Sequence, residues 1–357
     1  MKTKKQKKVA IIISPNYKDY AQKYLSACIG SIRQQDYEGE MKIFMTDNKT
    51  SPESFLFLSK TVPEAELVLN QGNDGFAKGV NDSIRLALFQ NFDYIAVISI
   101  HSTIATNYIS ELVNVLESDK KIGVAQALVL MPDKKIINSL GNETHFLGFG
   151  YCNGYKDDLG SKNLDFNSVH EIFYPSGASM IFKKEILEKI GLLDEEYWMY
   201  NEDQEIGWRL RLAGYKCVLA PRAQMYSSYE FLRSIQKYYW MDRNRILVIL
   251  ECYHILTLTL IFPVLIIMEL GLILFSLKTG WFKERIKVWK YFLTLRTWIY
   301  IIRARKRNQK LRVVRDREII KLISGRIWYQ EVDDWKLRFI NPVFNFYWSI
   351  VKKIVAW

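Results

Sequence analysis

Cysteine is scarce in this chain, and the few that occur stand apart. Cys28, Cys152, Cys217 and Cys252 are the only four in 357 residues and form no C-x-x-C pair. That excludes a disulfide framework and a thiolate zinc site, and it suits a reducing compartment. An apolar stretch is also missing behind the basic start MKTKKQKK. The chain runs instead straight into a strand-like pattern, so no cleaved secretory leader is expected and the chain is expected to stay in the cytoplasm. There is no internal repeat, no zinc-finger spacing and no RNA-binding signature, so nucleic acid is not an expected partner. Acids run short in one place. Between Lys278 and Arg326 sixteen Lys/Arg face only Glu284, Asp316 and Glu318, which accounts for the whole net charge of +12.

What is present is enough to build a core, with 49% hydrophobic and 14% aromatic residues. The length suits one large domain with an appendage. Strand-like runs at Val9 to Ser14, Lys42 to Thr46, Glu66 to Asn70 and Tyr94 to Ile100 alternate with helical runs at about Tyr20 to Gln34 and Ala77 to Phe89. This order predicts an α/β class with a mostly parallel sheet and helices on both faces. Ligands then bind beyond the carboxyl ends of the strands. Pro15-Asn16-Tyr17, Asp47-Asn48 and Ser99-Ile100-His101 occupy those ends. A second ordered block contains a strand at Ala178 to Phe182 and helices at Lys184 to Ile190 and Asn201 to Ala213, the last stopped by Gly214.

The character changes near residue 233, so the chain divides into 1–232 and a helical, basic 233–357 region. Ile255 to Leu277 is long enough to cross a bilayer. Glu269 and Pro263 lie within it, and the basic segment follows it, against the positive-inside tendency for a single span. A re-entrant or interfacial helical hairpin is therefore the expectation. Trp281 to Arg307 alternates aromatic and basic residues, as in a helix lying on an anionic lipid surface.

Three sets of motifs stand in order. The first is Asp47-Asn48. The second is Asn73-Asp-Gly75-Phe76-Ala-Lys-Gly79-Val-Asn81, a Gly/Asn-rich loop opening a helix. The third holds Gly177-Ala-Ser-Met180, Gly191-Leu-Leu-Asp194-Glu195, and Tyr200-Asn-Glu202-Asp203-Gln-Glu205 with Arg209 beyond. Together they resemble the family 2 glycosyltransferases of GT-A fold, in particular a rhamnosyltransferase-like branch, over roughly residues 8 to 250. The resemblance implies a Rossmann-like nucleotide-sugar domain and a UDP- or dTDP-sugar donor. It places Pro15, Asn16, Asp47, Asn48, Gly75, Phe76, Asn81, Ser99, His101 and Gly177 around that donor. Asp47 would accept from a pyrimidine ring N–H. Asp203 would be the catalytic base of an inverting, non-processive transfer, with Glu202 beside it raising the local negative charge. Arg209 would contact phosphate, orient the acidic pair or form a structural ion pair. Gln236-Lys-Tyr-Tyr-Trp240 only faintly echoes the Q-x-x-R-W motif of processive synthases, because the Arg is missing.

The departures concern metal. His101 stands where the family carries its metal-binding Asp, and Ser227 where it often carries a His. Three arrangements are open: His101 keeps a site for Mn²⁺ rather than Mg²⁺; the reaction is metal-independent, with His101 and bases such as Arg222 or Arg243 facing the diphosphate; or the domain is a non-catalytic nucleotide-sugar-binding subunit. The metal-independent one is preferred. The expected setting is the cytoplasmic face of the cell membrane, with a lipid-linked saccharide acceptor in cell-surface glycan synthesis.

Overall fold

The computed structural model describes residues 7–229, 235–328 and 335–357. The expected boundary at 232/233 lies outside the described residues, as does the side chain of Gln236. In chain order the elements are β1 Val9–Asn16, a π-helical turn Ala21–Leu25 running into α1 Ser26–Ile32, β2 Met41–Asn48, α2 Pro52–Thr61, β3 Glu66–Asn70, α3 Gly75–Phe89 and β4 Tyr94–Ile98. Then follow β5 Ser102–Ile104, α4 Tyr108–Ser118, β6 Ile122–Leu130, the short strands β7 Ile137–Ser139, β8 Asn142–Thr144, β9 Gly150–Cys152 and β10 His170–Ile172, and β11 Ser179–Lys183. After α5 Lys184–Ile190 and α6 Glu202–Leu212 comes β12 Lys216–Ser227. The remainder is helical: α7 Ile235–Cys252, α8 Ile255–Thr279, α9 Phe282–Phe292, α10 Leu295–Leu311, α11 Asp316–Ile319 and α12 Trp335–Ile354.

The main sheet runs β10-β12-β6-β11-β4-β1-β2-β3. Strands β4, β1, β2 and β3 are parallel neighbours, and β11 enters antiparallel between β4 and β6. Both faces are buried, so alternate residues of one strand serve different cores. Val9, Ile11 and Ile13 pack with Ile29, Leu58 and Tyr108 on one side. Ala10 and Ile12 pack with Val80, Ile84 and Ile206 on the other.

A third core joins the two halves of the chain. Phe146, Phe173, Trp208 and Leu212 share it with Leu247, Ile261, Ile301 and Trp348. The basic stretch also faces inward in part. Arg285 pairs with Asp242 at 2.7 Å and with Glu269, and Arg307 pairs with Asp194 at 2.9 Å and Glu205 at 3.1 Å. Arg285 thus answers acids of the helical region itself, and Arg307 answers acids of the body. Trp281 to Arg307 is not one helix: α9 ends at Phe292, and the Thr294 hydroxyl caps α10 by accepting from Thr297 N at 3.3 Å.

Candidate active site

The parallel strands bring their carboxyl ends to one edge. A register shift at the end of β1 sets Asn16 opposite Asp47. Asn16 Nδ2 donates to Asp47 Oδ1 at 2.7 Å, while Asn16 Oδ1 accepts from Ala21 N at 2.9 Å. Ser54 Oγ donates to Asp47 Oδ2 at 2.6 Å. Each carboxylate oxygen therefore has one donor and keeps further lone-pair capacity. Asn48 Nδ2 reaches Gly75 O at 3.0 Å, tying β2 to the start of α3. Gly75 has φ +82°, and a Cβ there would lie 2.5 Å from Trp198 O. A Cβ on Gly79 would lie 2.4 Å from the Pro15 ring. Gly75 thus lets the start of α3 approach the Trp198 backbone, and Gly79 lets the helix sit directly on the end of β1. Phe76 N donates to Trp198 O at 2.7 Å.

The candidate base is held by a strained loop. Trp198, Tyr200 and Asn201 all have left-handed φ, at 58°, 68° and 64°. Such residues persist only where their surroundings hold them. Here Asn244, fully buried on α7, donates from Nδ2 to the carbonyls of Tyr197, Met199 and Tyr200 at 2.9, 2.9 and 2.6 Å. Trp198 stacks on Trp240, with ring centroids 4.6 Å apart. Asn244→Ala should lower the unfolding free energy by about 1–3 kcal/mol, because buried carbonyls lose their donor; an unchanged urea midpoint would remove Asn244 from this role.

Beyond the loop, the first turn of α6 presents the acidic pair. Asp203 Oδ2 accepts from Gly177 N at 3.0 Å and Oδ1 from Gln204 N at 2.8 Å. Burial raises the Asp203 carboxyl to about 6, against the lowering pull of those N–H groups. Glu202 is buried, and its Oε2 has no partner among the described residues. Burial and the nearby Asp203 charge push its carboxyl well above the usual range. Both causes favour the neutral form of Glu202, which runs against the expectation that it adds negative charge beside Asp203. Ala178 O accepts from Ser99 N at 2.9 Å, so Gly177 and Ala178 link Asp203 to the end of β4.

At that end His101 lies in a cage of phenols. Its ring stacks on Tyr24 at 4.7 Å and meets Tyr20 edge-on at 5.0 Å and Tyr229 at 5.6 Å. Burial lowers the imidazole to about 4, so it is neutral at pH 7. His101 Nδ1 and Ser102 Oγ are buried without partners among the described residues. Ser227 pairs with Ser102 in the β5–β12 ladder, so the two positions read as metal-related in the sequence are neighbours.

Other residues singled out in the sequence are engaged elsewhere. Asn81 donates to Leu193 O at 2.8 Å and Glu195 Oε1 at 3.0 Å, and accepts from Leu193 N at 3.1 Å. Its amide is spent on the 193–195 loop, which corrects its expected place at the nucleoside. Arg209 is buried, bound to Glu205 at 2.7 Å and to the carbonyls of Ile190 and Leu192 at 2.6 Å each. Of its three expected roles, this geometry is the structural ion pair. Arg243 lies 4.5 Å over Trp240 and 4.8 Å over Tyr291 and donates to Glu196 O, and the exposed Arg222 lies 3.7 Å from Glu111. Sequence reasoning missed Tyr20, Tyr24, Tyr229, Asn244 and Lys237. Only the density of tyrosines after β1 and after β12 hinted at a cage.

Residues 94–303 match the model of the family described as glycosyl transferase family group 2. The chain belongs to that family. The chain has no significant match among curated protein sequences. Among solved structures it is similar to GalNAc-T7 with UDP, GalNAc and Mn²⁺, at 14% identity and a TM-score of 0.52, over 69% of this chain and 48% of that one. That likeness shows the shared GT-A fold, and this chain spans about half the length of its neighbour. Two further structures align at 14% identity and TM-scores of 0.47. They are the mannosyltransferase PcManGT from Pyrobaculum calidifontis with GDP-Man and Mn²⁺, over 70% of this chain and 64% of that one, and S. aureus TarS 1-349 with UDP, over 97% and 90%.

Proposed function

We propose that this glycosyltransferase moves one sugar, with inversion, from a UDP- or dTDP-sugar to a lipid-linked saccharide during cell-surface glycan synthesis, at the cytoplasmic face of a membrane. The observation that carries the reading is Asp203, which two backbone N–H groups orient beside the strand ends. In the proposed step Asp203 takes the proton of the acceptor hydroxyl. The acceptor oxygen forms its bond to the anomeric carbon as the opposite carbon–phosphate oxygen bond breaks, and the electron pair leaves on the diphosphate. Burial favours the neutral form of Glu202, and in that form its carboxyl can donate a hydrogen bond to the acceptor. Asp47 at the end of β2 is suited to a pyrimidine ring N–H. The motif resemblance makes dTDP-rhamnose the first donor to try.

The lipid part rests on helices α8 and α12. One described helix, α8, is long and apolar enough to cross a membrane. Its one glutamate turns toward the protein, where Glu269 is held by Arg245 at 2.5 Å and by Arg285. A stripe along the helix exposes Phe262, Ile266, Ile267, Leu270 and Leu274. Helix α12 lies alongside, its Tyr347 hydroxyl bonded to Leu260 O, and exposes Phe339, Val343, Phe346 and Ile350. A helix with one side on the protein and one apolar side outward supports lying in the lipid interface over crossing it.

Because the tail shares a core with the body, point variants test this better than truncation. Ile267→Glu with Leu270→Glu, at positions 61% and 58% exposed, should reduce binding to anionic vesicles roughly 100-fold. Co-sedimentation equal to wild type would sink the interfacial reading.

A further inference from the structure

We propose that this site works without a divalent metal, and that Lys237 supplies the positive charge facing the departing diphosphate; the inference rests on the nucleoside-diphosphate donor reading above. The residues at the end of β4 do not suit a hard cation. Mg²⁺ and Mn²⁺ favour oxygen ligands, above all carboxylates. His101 offers a single nitrogen, and its ring contacts are the phenols of Tyr20, Tyr24 and Tyr229. The neighbouring Ser227 hydroxyl already accepts from Tyr229 N at 3.3 Å. Among the described residues the one converging group of three potential metal-binding side chains is Asp194, Glu205 and Glu251. That group is built around Arg307 rather than His101, and its nearest cation is covalently part of the chain.

A cation does stand at the cage. Lys237, in the first turn of α7, places Nζ 3.3 Å from Tyr229 OH. The same ammonium lies 5.5 Å over the Tyr229 ring and 5.9 Å over the Tyr200 ring. Tyr200 OH is 3.4 Å from Tyr229 OH, which connects the lysine both to the loop carrying the candidate base and to the His101 cage. Breaking the anomeric carbon–oxygen bond leaves its electron pair on the β-phosphate and adds a negative charge there. An ammonium with three rotatable donors can follow that oxygen as it departs. The exposed Tyr20 then offers an uncharged hydroxyl beside it.

The test is calorimetric titration of the full-length protein with UDP, dTDP and GDP, in EDTA and again with Mn²⁺, using the corresponding monophosphates as controls. Wild-type affinity for the preferred diphosphate should be the same in both buffers. Lys237→Gln should weaken diphosphate binding at least about tenfold while leaving the monophosphate unchanged, and Lys237→Arg should restore most of the loss. Diphosphate binding that appears only with Mn²⁺ would overturn the inference while leaving the donor reading intact. Wild-type affinity in Lys237→Gln would overturn the role of the lysine. No binding of any diphosphate in either buffer would remove the donor reading, and this inference with it.

Discussion

Replacing Asp203 by Asn should lower the turnover number about 10²–10⁴-fold with little change in donor affinity, the loss typical when a positioned general base is removed. The side chain keeps its shape, so Gly177 N can still donate to an amide oxygen, and the loop behind it is held by Asn244 rather than by Asp203. The pH dependence follows from the direction of the shift. A base must be ionised to act, so wild-type turnover should rise through pH about 6 and level off above it. Stability should run the other way. A carboxyl whose value is raised in the folded state favours folding when protonated, and that contribution is lost as pH rises from the unfolded value through about 6. Above that, the Asn variant, which cannot ionise, should melt no lower than wild type. An inactive but equally stable protein points to catalysis; an active one removes Asp203 as the base.

Arg209→Met should destabilise the fold by about 3–5 kcal/mol, because breaking a buried ion pair leaves an uncompensated charge behind. The guanidinium closes the loop between α5 and α6, with Ile190 and Leu192 carbonyls at 2.6 Å and Glu205 at 2.7 Å. Glu205 keeps Arg307 and Asn308 as partners, which sets the loss nearer the lower end. Glu251 close by is pushed well above its ordinary range by burial and by Asp194 and Glu205. The acids of the α6–α7–α10 junction thus share two cations, Arg209 and Arg307. Urea unfolding measures the loss, and nucleoside diphosphate affinity of the folded variant should stay at the wild-type level. A variant that folds normally but loses that affinity would return Arg209 to the phosphate.

The fold was legible where pattern and punctuation agreed. Helix α5 occupies Lys184–Ile190 as read, since an apolar repeat runs into Gly191, and β3 occupies Glu66–Asn70 as read. Strand β12 was harder, because Pro221 interrupts it; the structure places the proline where the β6–β12 register shifts between Ala220 and Gln224. The break between α9 and α10 carries no glycine or proline and rests on the Thr294 cap. The motif resemblance grouped Asp47, Gly75, Gly177 and Asp203, and the structure links them in series: Asn48 to Gly75, the Phe76 ring beside Gly177, and Gly177 N to Asp203. What the motifs could not reveal is where a polar side chain spends its donors. Asn81 and Arg209 look like ligand contacts in a motif and are spent on loops. The cage at His101 joins side chains from β1's loop, β12's end and α7, residues too far apart in sequence for any local pattern to connect.

The central claim is inverting transfer from a nucleotide sugar to a lipid-linked acceptor. It is tested most directly by incubating the full-length protein with dTDP- and UDP-sugars labelled with ¹³C at the anomeric carbon, together with a lipid extract carrying saccharide acceptors. The products are then read by NMR after organic extraction. The label should move from the water-soluble nucleotide to the lipid fraction with its anomeric configuration reversed, in EDTA as in Mn²⁺. Label that stays on the nucleotide, or arrives with its configuration retained, would contradict the account.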